Sequence, residues 1–303
     1  MKIVVSGSTG LIGSALTVAL ERRDHEVVPL VRRHPSPGER AVAWDPERGT
    51  IDRAGLEGAD AVIHLAGENV FGRWSPAKKQ RIYDSRVKGT RLLSDALAGL
   101  HRPPATLLAA SAIGYYGDRG DEAVNEESPP GEDFLAHVSR DWEAATTAAT
   151  RARIRVVNMR IGVVLTTTGG ALAKMLPAFR LGLGGPVGSG NQYLSWIALD
   201  DIVNAIQHLL VRPDTVGPVN MTAPAPLTNR DFAHTLGRVL GRPAVVTVPA
   251  FALRIAFGTE GAAMLQSGQR VLPARLLASG FHFGLPDVEK TLRRLLAPSE
   301  SAR

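Results

Sequence analysis

Three glycines near the start of the chain have the spacing of a phosphate-binding turn. Gly7, Gly10 and Gly13 follow the apolar run 3–5 and precede a second apolar run at 16–20. We predict a strand, a glycine-rich turn and a helix, whose first N–H groups would face an anion such as a pyrophosphate. A glycine pattern alone is a weak signal. Its position directly after the first strand favours a dinucleotide site over chance spacing or a signal peptide.

The pair Arg32 and Arg33 indicates which dinucleotide such a site would take. The pair follows the apolar segment 26–31, which we predict to be the second strand. In dinucleotide-binding folds the end of this strand meets the adenosine ribose, where an acidic residue suits NAD and an arginine suits the 2′-phosphate of NADP. The alternative is that both arginines only begin the surface loop 34–38. We expect NADP(H) to be the cofactor.

Strand and helix signals alternate through the first half of the chain. Further strands are predicted at 41–44, 59–66, 106–111 and 155–165, and the longest helices between them at 75–97 and 134–151. This alternation predicts an α/β fold with a doubly wound, parallel Rossmann sheet. The strand 59–66 ends at Gly67, which would lie at the ligand-binding edge of the sheet. His64, inside that strand, is interpreted as a packed core residue.

The pattern after residue 165 is looser and richer in glycine, with a short strand predicted at 193–197. We expect a Rossmann domain at 1–165 to which 191–222 returns. The segments 166–190 and 223–303 are expected to form a smaller, mostly helical cap over the ligand edge.

Composition narrows the classes of function. The 303 residues are 44% apolar and contain no cysteine, which excludes disulfides and is compatible with a cytoplasmic location. The eight histidines show no HxxH or HExxH spacing, so no metal site is expected. The net charge of +6 comes from scattered arginines, so no nucleic-acid partner is expected. No apolar stretch reaches the roughly 18 residues that a membrane span requires.

The glycine loop Gly7-Ser8-Thr9-Gly10-Leu11-Ile12-Gly13 resembles the TGxxGxxG-type loop of extended short-chain dehydrogenases/reductases. More narrowly, the chain resembles the NAD(P)-dependent epimerase-like group with a C-terminal domain of the DUF1731 type. The segments that carry this resemblance run almost from end to end: Ser85-Arg86-Val87, Asp141-Trp142-Glu143, 160–165, Gly188-Ser189-Gly190, Ser195-Trp196-Ile197, 267–273 and Ser279-Gly280-Phe281.

The resemblance implies where the cofactor would be held. The residues concerned are Gly7, Ser8, Thr9, Gly10, Leu11, Ile12, Gly13, Arg32, Leu65, Ala66, Arg86 and Val164. The positions of Arg33 and Gly67, argued above, add these two as candidate contacts. Arg86 stands where other extended members often carry asparagine. A helix-borne arginine can reach a phosphate or ribose, or it can form a surface ion pair.

The family's usual catalytic pair is missing from this chain. Short-chain dehydrogenases use a YxxxK pair, in which tyrosine is the general acid/base and lysine lowers its pKa. Counting from Glu143, the tyrosine position holds Leu135 and the lysine position holds Ser139. Ser111 fits the serine that helps to hold a substrate carbonyl.

Two functions remain open at this point. In the first, the protein is an NADP-dependent oxidoreductase acting on an unknown small carbonyl or alcohol. Tyr116 or Tyr115 then replaces the missing acid/base, Ser111 assists, and Tyr115 and Trp196 line the substrate pocket. In the second, the protein binds NADP(H) without turnover, as a sensor or interaction module, and both tyrosines only pack. The resemblance also suggests a homodimer, in which the helices 75–97 and 134–151 could pair between subunits.

Overall fold

The structure, a computed structural model, describes residues 1–297. Its largest sheet has eight strands in the order β12-β8-β6-β5-β1-β2-β3-β4, and only the β3–β4 pair is antiparallel. The strands are β1 (Lys2–Ser6), β2 (Glu26–Val31), β3 (Val42–Asp45), β4 (Thr50–Ile51), β5 (Ala61–His64), β6 (Thr106–Ala112), β7 (Ala123–Val124), β8 (Arg155–Ile161), β9 (Val163–Leu165), β10 (Tyr193–Leu194), β11 (Trp196–Ala198), β12 (Gly217–Met221), β13 (Leu227–Thr228) and β14 (Arg270–Val271). The chain order reverses between β1 and β5, which confirms the doubly wound α/β prediction.

Helices cover both faces of this sheet. They are α1 (Leu11–Glu21), α2 (Arg53–Leu56), α3 (Pro76–Ala98), α4 (Phe134–Ala144), α5 (Thr147–Arg151), α6 (Gly170–Arg180), α7 (Leu199–Leu210), α8 (Asn229–Leu240), α9 (Ala250–Gln266), α10 (Ala274–Ala278) and α11 (Val288–Leu296). On one face α1 and α7 bury Leu16 and Ile202, and on the other α3 buries Leu93. Within residues 1–297, no helix combines the length and apolarity needed to cross a membrane.

A separate hydrophobic core lies among α6, α8 and α11. It contains Trp196, Phe232 and Leu292, all essentially unexposed. Further along the chain, β14 pairs in parallel with β7 in a two-stranded sheet apart from the main one. The helix α10 then packs against β12, the edge strand of the main sheet beside β8. The C-terminal region therefore contacts both the segment that follows β6 and the edge strand of the main sheet.

Two predicted strands are broken by contacts from distant parts of the chain. The strand 155–165 divides at Gly162, where the backbone lies close to the Ser195 carbonyl. A Cβ at this position would be only 2.7 Å from that carbonyl oxygen. The strand 193–197 divides at Ser195, whose Oγ donates to the Gln269 carbonyl and accepts from the Val271 N–H. The helix predicted at 134–151 likewise divides into α4 and α5.

Candidate dinucleotide and catalytic site

The glycine loop is shaped by close backbone contacts that exclude side chains. Gly7 has φ +69°, and the N–H of Gly10 donates to the Gly7 carbonyl oxygen at 2.9 Å. A Cβ on Gly13 would overlap that same carbonyl, so the turn of the loop requires glycine at position 13. α1 begins after Gly10 without a side-chain cap and without an acidic residue in its first turn. Its first N–H groups and the positive end of its dipole are thus available to an anion.

The loop after β5 is held against this turn by a buried histidine. The Ser6 Oγ accepts the N–H groups of Leu65 and Ala66 at 3.1 and 3.2 Å, so it donates to His64 Nδ1 at 2.6 Å. His64 Nε2 then donates to Thr90 Oγ1 at 2.9 Å. Burial lowers the pKa of His64 to about 4, so the ring is neutral at neutral pH. This confirms His64 as a core residue and places Leu65 and Ala66 beside the glycine loop.

The two arginines after β2 have different environments. Arg33 forms an ion pair with Glu39, with Nη1 to Oε2 at 2.8 Å and Nη2 to Oε1 at 2.5 Å. Hydrogen bonding to Arg33 lowers the pKa of Glu39 to about 2, with help from the Ser36 N–H. Arg32 is exposed and has no ion pair among residues 1–297. Arg32 is therefore the cation available to a 2′-phosphate, whereas Arg33 shapes the loop that follows.

Arg86 lies below the turn that follows β5. Its Nη1 donates to the carbonyls of Glu68 and Ile82 at 3.0 and 3.2 Å, and its Cζ lies 5.0 Å from the Trp142 ring centroid. Burial lowers the pKa of Arg86 to about 10, which leaves it charged at neutral pH. A Cβ on Gly67 would lie 3.5 Å from the guanidinium carbon. Arg86 is thus next to Gly67, and the backbone carbonyls of Glu68 and Ile82 hold its guanidinium there.

The remaining cofactor candidates lie at the same edge. Ser8 is half-buried and Thr9 is exposed in the glycine loop, while Ile12 packs on the core beneath α1. Leu11 faces the start of α6, because a Cβ on Gly170 would lie 3.4 Å from Leu11 Cδ2 and from the Val164 carbonyl oxygen. The structure therefore brings Val164 near the beginning of α1.

Ser111, at the end of β6, belongs to a charged array that the sequence analysis did not identify. Its Oγ donates to Glu143 Oε1 at 2.7 Å. Arg160 Nε donates to the same oxygen at 2.7 Å, and Arg160 Nη2 donates to Oε2 at 2.8 Å. Although burial opposes it, hydrogen bonding to Glu143 raises the pKa of Arg160. Ser111 is 2% exposed, and the Glu143 side chain keeps 13% of its surface exposed.

Tyr116 does not have the environment of a general acid/base. It is 0% exposed; its hydroxyl donates to Asn220 Oδ1 at 2.7 Å and accepts from Arg160 Nη1 at 3.0 Å. Burial raises the pKa of Tyr116 to about 12. Because the protein supplies both partners of this buried hydroxyl, the structure favours the alternative in which Tyr116 packs over its use as the acid/base. Tyr115 is half-buried, and its ring centroid lies 3.4 Å from Arg160 Cζ.

Trp196 is also placed differently from the sequence expectation. It is 0% exposed, packs in the core formed by α6, α8 and α11, and donates from Nε1 to the Ala225 carbonyl at 3.2 Å. With no exposed surface it cannot line a substrate pocket in this structure. Trp196 begins the short apolar strand β11, and such a strand also suits a core position.

The positions of the usual tyrosine and lysine are used for packing. Leu135 and Ser139 lie on α4, which packs against the short 3₁₀ helix Ile113–Tyr116. A Cβ on Gly114 would lie 3.2 Å from Leu135 Cβ and 3.9 Å from Ser139 Oγ. Both side chains therefore lie at the contact between α4 and this 3₁₀ helix, where Leu135 is half-buried and Ser139 is buried. Glu143, one turn beyond Ser139, supplies the ionisable group nearest to Ser111.

Comparisons with known proteins identify the family of this chain. The model of the NAD dependent epimerase/dehydratase family matches residues 3–221, and that of DUF1731, a domain of unknown function, matches residues 248–295. The chain is 46% identical over 282 residues to the Epimerase family protein Mb2239 of Mycobacterium bovis, covering 93% of each. It is 38% identical over 301 residues to the Epimerase family protein SDR39U1 of Homo sapiens, covering 98% of this chain and 100% of that protein.

A solved structure of a relative has the same fold as this chain. The crystal structure of human SDR39U1 (isoform 2) with NADPH has a TM-score of 0.90 to this chain at 37% identity, covering 97% of this chain and 99% of the human one. Together with the glycine loop and the sheet order, these matches decide the family. The chain belongs to the NAD dependent epimerase/dehydratase family, in the short-chain dehydrogenase/reductase group that carries a C-terminal DUF1731 domain.

Proposed function

We propose that this protein binds NADP(H) and interconverts a small carbonyl compound and its alcohol. The cofactor assignment is supported by the uncapped start of α1, by the exposed Arg32 and by the NADPH in the related human structure. The absence of a side chain at Gly10, which immediately precedes α1, suits a pyrophosphate that approaches the backbone closely, whereas Gly13 lets α1 pack against the Gly7 carbonyl. Bound NADP(H) would supply or accept the hydride.

The hydrogen bond from Ser111 to Glu143 is the observation that carries the proposed reaction. Because the Ser111 Oγ–H already points to Glu143 Oε1, its lone pairs can accept a proton from a substrate hydroxyl. In the alcohol-to-carbonyl direction Ser111 passes its own proton to Glu143 as it receives the substrate's, and the hydride leaves the same carbon. Glu143 then releases the proton to solvent through its exposed edge. Carbonyl reduction is the reverse.

Arg160 and the narrow access to Ser111 limit the size of the substrate group that can reach the proposed proton relay. Arg160 fixes both oxygens of Glu143, so the carboxylate keeps its orientation towards Ser111. Since only 2% of Ser111 is exposed, a small carbonyl oxygen suits this position better than a bulky group. Epimerisation of a nucleotide-sugar would need the tyrosine base whose place Leu135 takes.

A second candidate is NADP(H) binding without turnover, as a redox sensor or interaction module. It is favoured by the packing of Leu135 and Ser139 against Gly114 and by the burial of Tyr116. Both candidates need the same cofactor site. They differ only in whether Ser111 and Glu143 move a proton.

The two candidates are separated by mixing the protein with NADPH and a broad panel of small aldehydes and ketones. Loss of the nicotinamide absorbance that disappears in Glu143→Gln supports the oxidoreductase. Ser139→Ala is the matched control, because Ser139 is buried nearby but is not bonded to Glu143. Tight NADPH binding with no turnover across the panel supports the sensor, and absence of NADPH binding contradicts both.

A further inference from the structure

A pocket of about 510 Å³, apart from the candidate dinucleotide site, opens at the edge of the main sheet opposite the glycine loop. It is lined by residues that precede strands or follow helices: Arg23 and His25 before β2, and the end of α7 before β12. In a parallel sheet these positions lie at the amino ends of the strands, whereas Gly7 follows the carboxyl end of β1. The five residues of β1 span about 16 Å, so the pocket is separate from the dinucleotide site.

Among the side chains that line this pocket, Arg23 carries the positive charge, and the described lining residues include no aspartate or glutamate. His25, His208 and His282 also line it. Burial lowers the pKa of His25 and of His208, so these two rings are neutral at neutral pH and contribute polar ring nitrogens. The carboxylate of Asp24 is next to Arg23 in sequence but is not part of the lining. A cavity with this balance of charge favours an anionic ligand.

One residue of the lining, Gln207, has an acceptor that lacks a donor. Gln207 is 7% exposed and donates from Nε2 to the Val203 carbonyl at 3.3 Å. Its Oε1 is buried and has no hydrogen-bond partner in the described part of the chain. An unpaired buried acceptor is uncommon in folded proteins and is satisfied by a ligand or an ordered water.

The other side of the pocket is apolar. Phe281 is mostly buried, and its ring meets the ring of His208 edge to face with centroids 5.4 Å apart. Leu210 and Val211 complete this side. The pocket thus combines the cationic side chain of Arg23, imidazole rings, a lining residue with an unsatisfied acceptor, and a carbon surface.

From these observations we infer that this pocket is a second ligand site, which binds a small organic anion, a carboxylate or phosphate, that also carries a hydroxyl or amino donor. The anion lies against Arg23 and the histidines, and the donor satisfies Gln207 Oε1. The C-terminal loop 280–282 lines the pocket together with Arg23 and the end of α7, so a ligand bound there contacts both the DUF1731 region and the Rossmann domain.

Isothermal titration calorimetry of the full chain with saturating NADPH tests this site. Glycerol 3-phosphate and glycerate are the probes, and sulfate is the anion without a donor. We expect one probe or both to bind more tightly than sulfate, and Arg23→Ala to weaken that binding about tenfold. The matched control is Arg22→Ala, an exposed neighbour outside the lining, which should leave binding unchanged. Gln207→Leu should remove the preference over sulfate.

The binding of the two probes either identifies the anionic group of the ligand or overturns the proposal. Binding of glycerol 3-phosphate alone identifies a phosphate ligand, and binding of glycerate alone identifies a carboxylate. Equal binding of sulfate, equal loss in Arg22→Ala and Arg23→Ala, or no heat from either probe at millimolar concentration overturns the proposal. If Gln207→Leu does not fold, His282→Ala, at an exposed position, replaces it and should also weaken probe binding.

Discussion

Arg160 donates to both carboxylate oxygens of Glu143, from Nε to Oε1 and from Nη2 to Oε2. The Arg160 side chain is 3% exposed and that of Glu143 is 13% exposed. On one side Glu143 accepts from Ser111, and on the other Arg160 donates to the hydroxyl of Tyr116. The ion pair therefore joins a serine at the ligand edge of the sheet to a tyrosine in the core, and it fixes the position of both.

Removing one partner of this pair should strongly destabilise the protein. Arg160→Met leaves the Glu143 carboxylate buried without its counter-charge, so we expect the free energy of unfolding to fall by about 3–5 kcal/mol. Urea unfolding measures this. Arg140→Met is the control, because the exposed Arg140–Asp141 pair should contribute only about 0–1 kcal/mol. Equal effects of the two substitutions would mean that the buried array does not contribute as described.

Two glycines of the phosphate loop should respond differently to alanine. A Cβ on Gly13 overlaps the Gly7 carbonyl, so Gly13→Ala must shift the loop, and we expect about 1–3 kcal/mol of destabilisation. A Cβ on Gly10 would lie 3.2 Å from that carbonyl, and Gly10 has φ −77°, which alanine adopts readily. Gly10→Ala should therefore fold but bind NADPH weakly. Thermal unfolding and fluorescence titration of NADPH distinguish the two effects.

The alternation of strands and helices was enough to predict the sheet, because parallel strands buried on both faces give continuous apolar runs. The breaks at Gly162 and Ser195 could not be predicted in the same way. They depend on contacts with the carbonyl of Ser195 and the backbone of Gln269 and Val271, and the latter two are more than seventy residues away in sequence.

The sequence predicted the part of the candidate site that the backbone forms, which is the glycine loop. It predicted only some of the side chains, because their directions depend on the fold. The glycine spacing identified the turn, since close backbone approach has a sequence signature. Tyr115 and Tyr116 are adjacent in sequence, yet Tyr115 is half-buried while Tyr116 is in the core. Nothing local distinguishes them. The bond of Tyr116 to Asn220 joins residues 104 positions apart, and Glu143 and Arg160, on α4 and β8, meet only once α4 packs against β6, the strand beside β8.

Arg32 and Arg33 should differ in their effect on cofactor choice. Arg32→Ala removes the unpaired cation after β2, so we expect NADPH binding to weaken about 10- to 100-fold while NADH binding changes little. Arg33→Ala, the matched control, breaks the ion pair with Glu39 and should affect both cofactors to a similar, smaller extent. Titrations of both variants with both cofactors measure this. An equal loss of NADPH and NADH in Arg32→Ala would contradict the assignment of NADP(H).

His64 should make the folded protein sensitive to acid. Its pKa is about 4 in the folded protein and about 6.5 when unfolded, so the unfolded state takes up the proton first as pH falls. This contribution to stability is complete above pH ~6.5 and is lost progressively towards pH ~4, by about 3 kcal/mol in total. In His64→Gln the loss over this window should be smaller than in the wild type, whereas His101→Gln, at an exposed site, should keep the wild-type pH slope. Urea unfolding at several pH values measures the difference.

If Ser111 and Glu143 move the proton, activity should depend on them and not on Tyr116. Ser111→Ala removes the relay, and Glu143→Gln removes the proton acceptor while keeping its shape. Loss of a general acid/base typically costs about 10²–10⁴-fold, so we expect kcat/KM to fall by at least 10² in each. Because Glu143→Gln also leaves Arg160 without its counter-charge, both variants are assayed at a temperature at which NADPH titration shows the cofactor still bound. Tyr116→Phe should lower stability by about 1 kcal/mol through the unpaired Asn220, yet leave kcat within a few-fold of the wild type. The opposite pattern, with activity lost in Tyr116→Phe and kept in Glu143→Gln, would require the 3₁₀ helix Ile113–Tyr116 to open and expose the tyrosine during turnover.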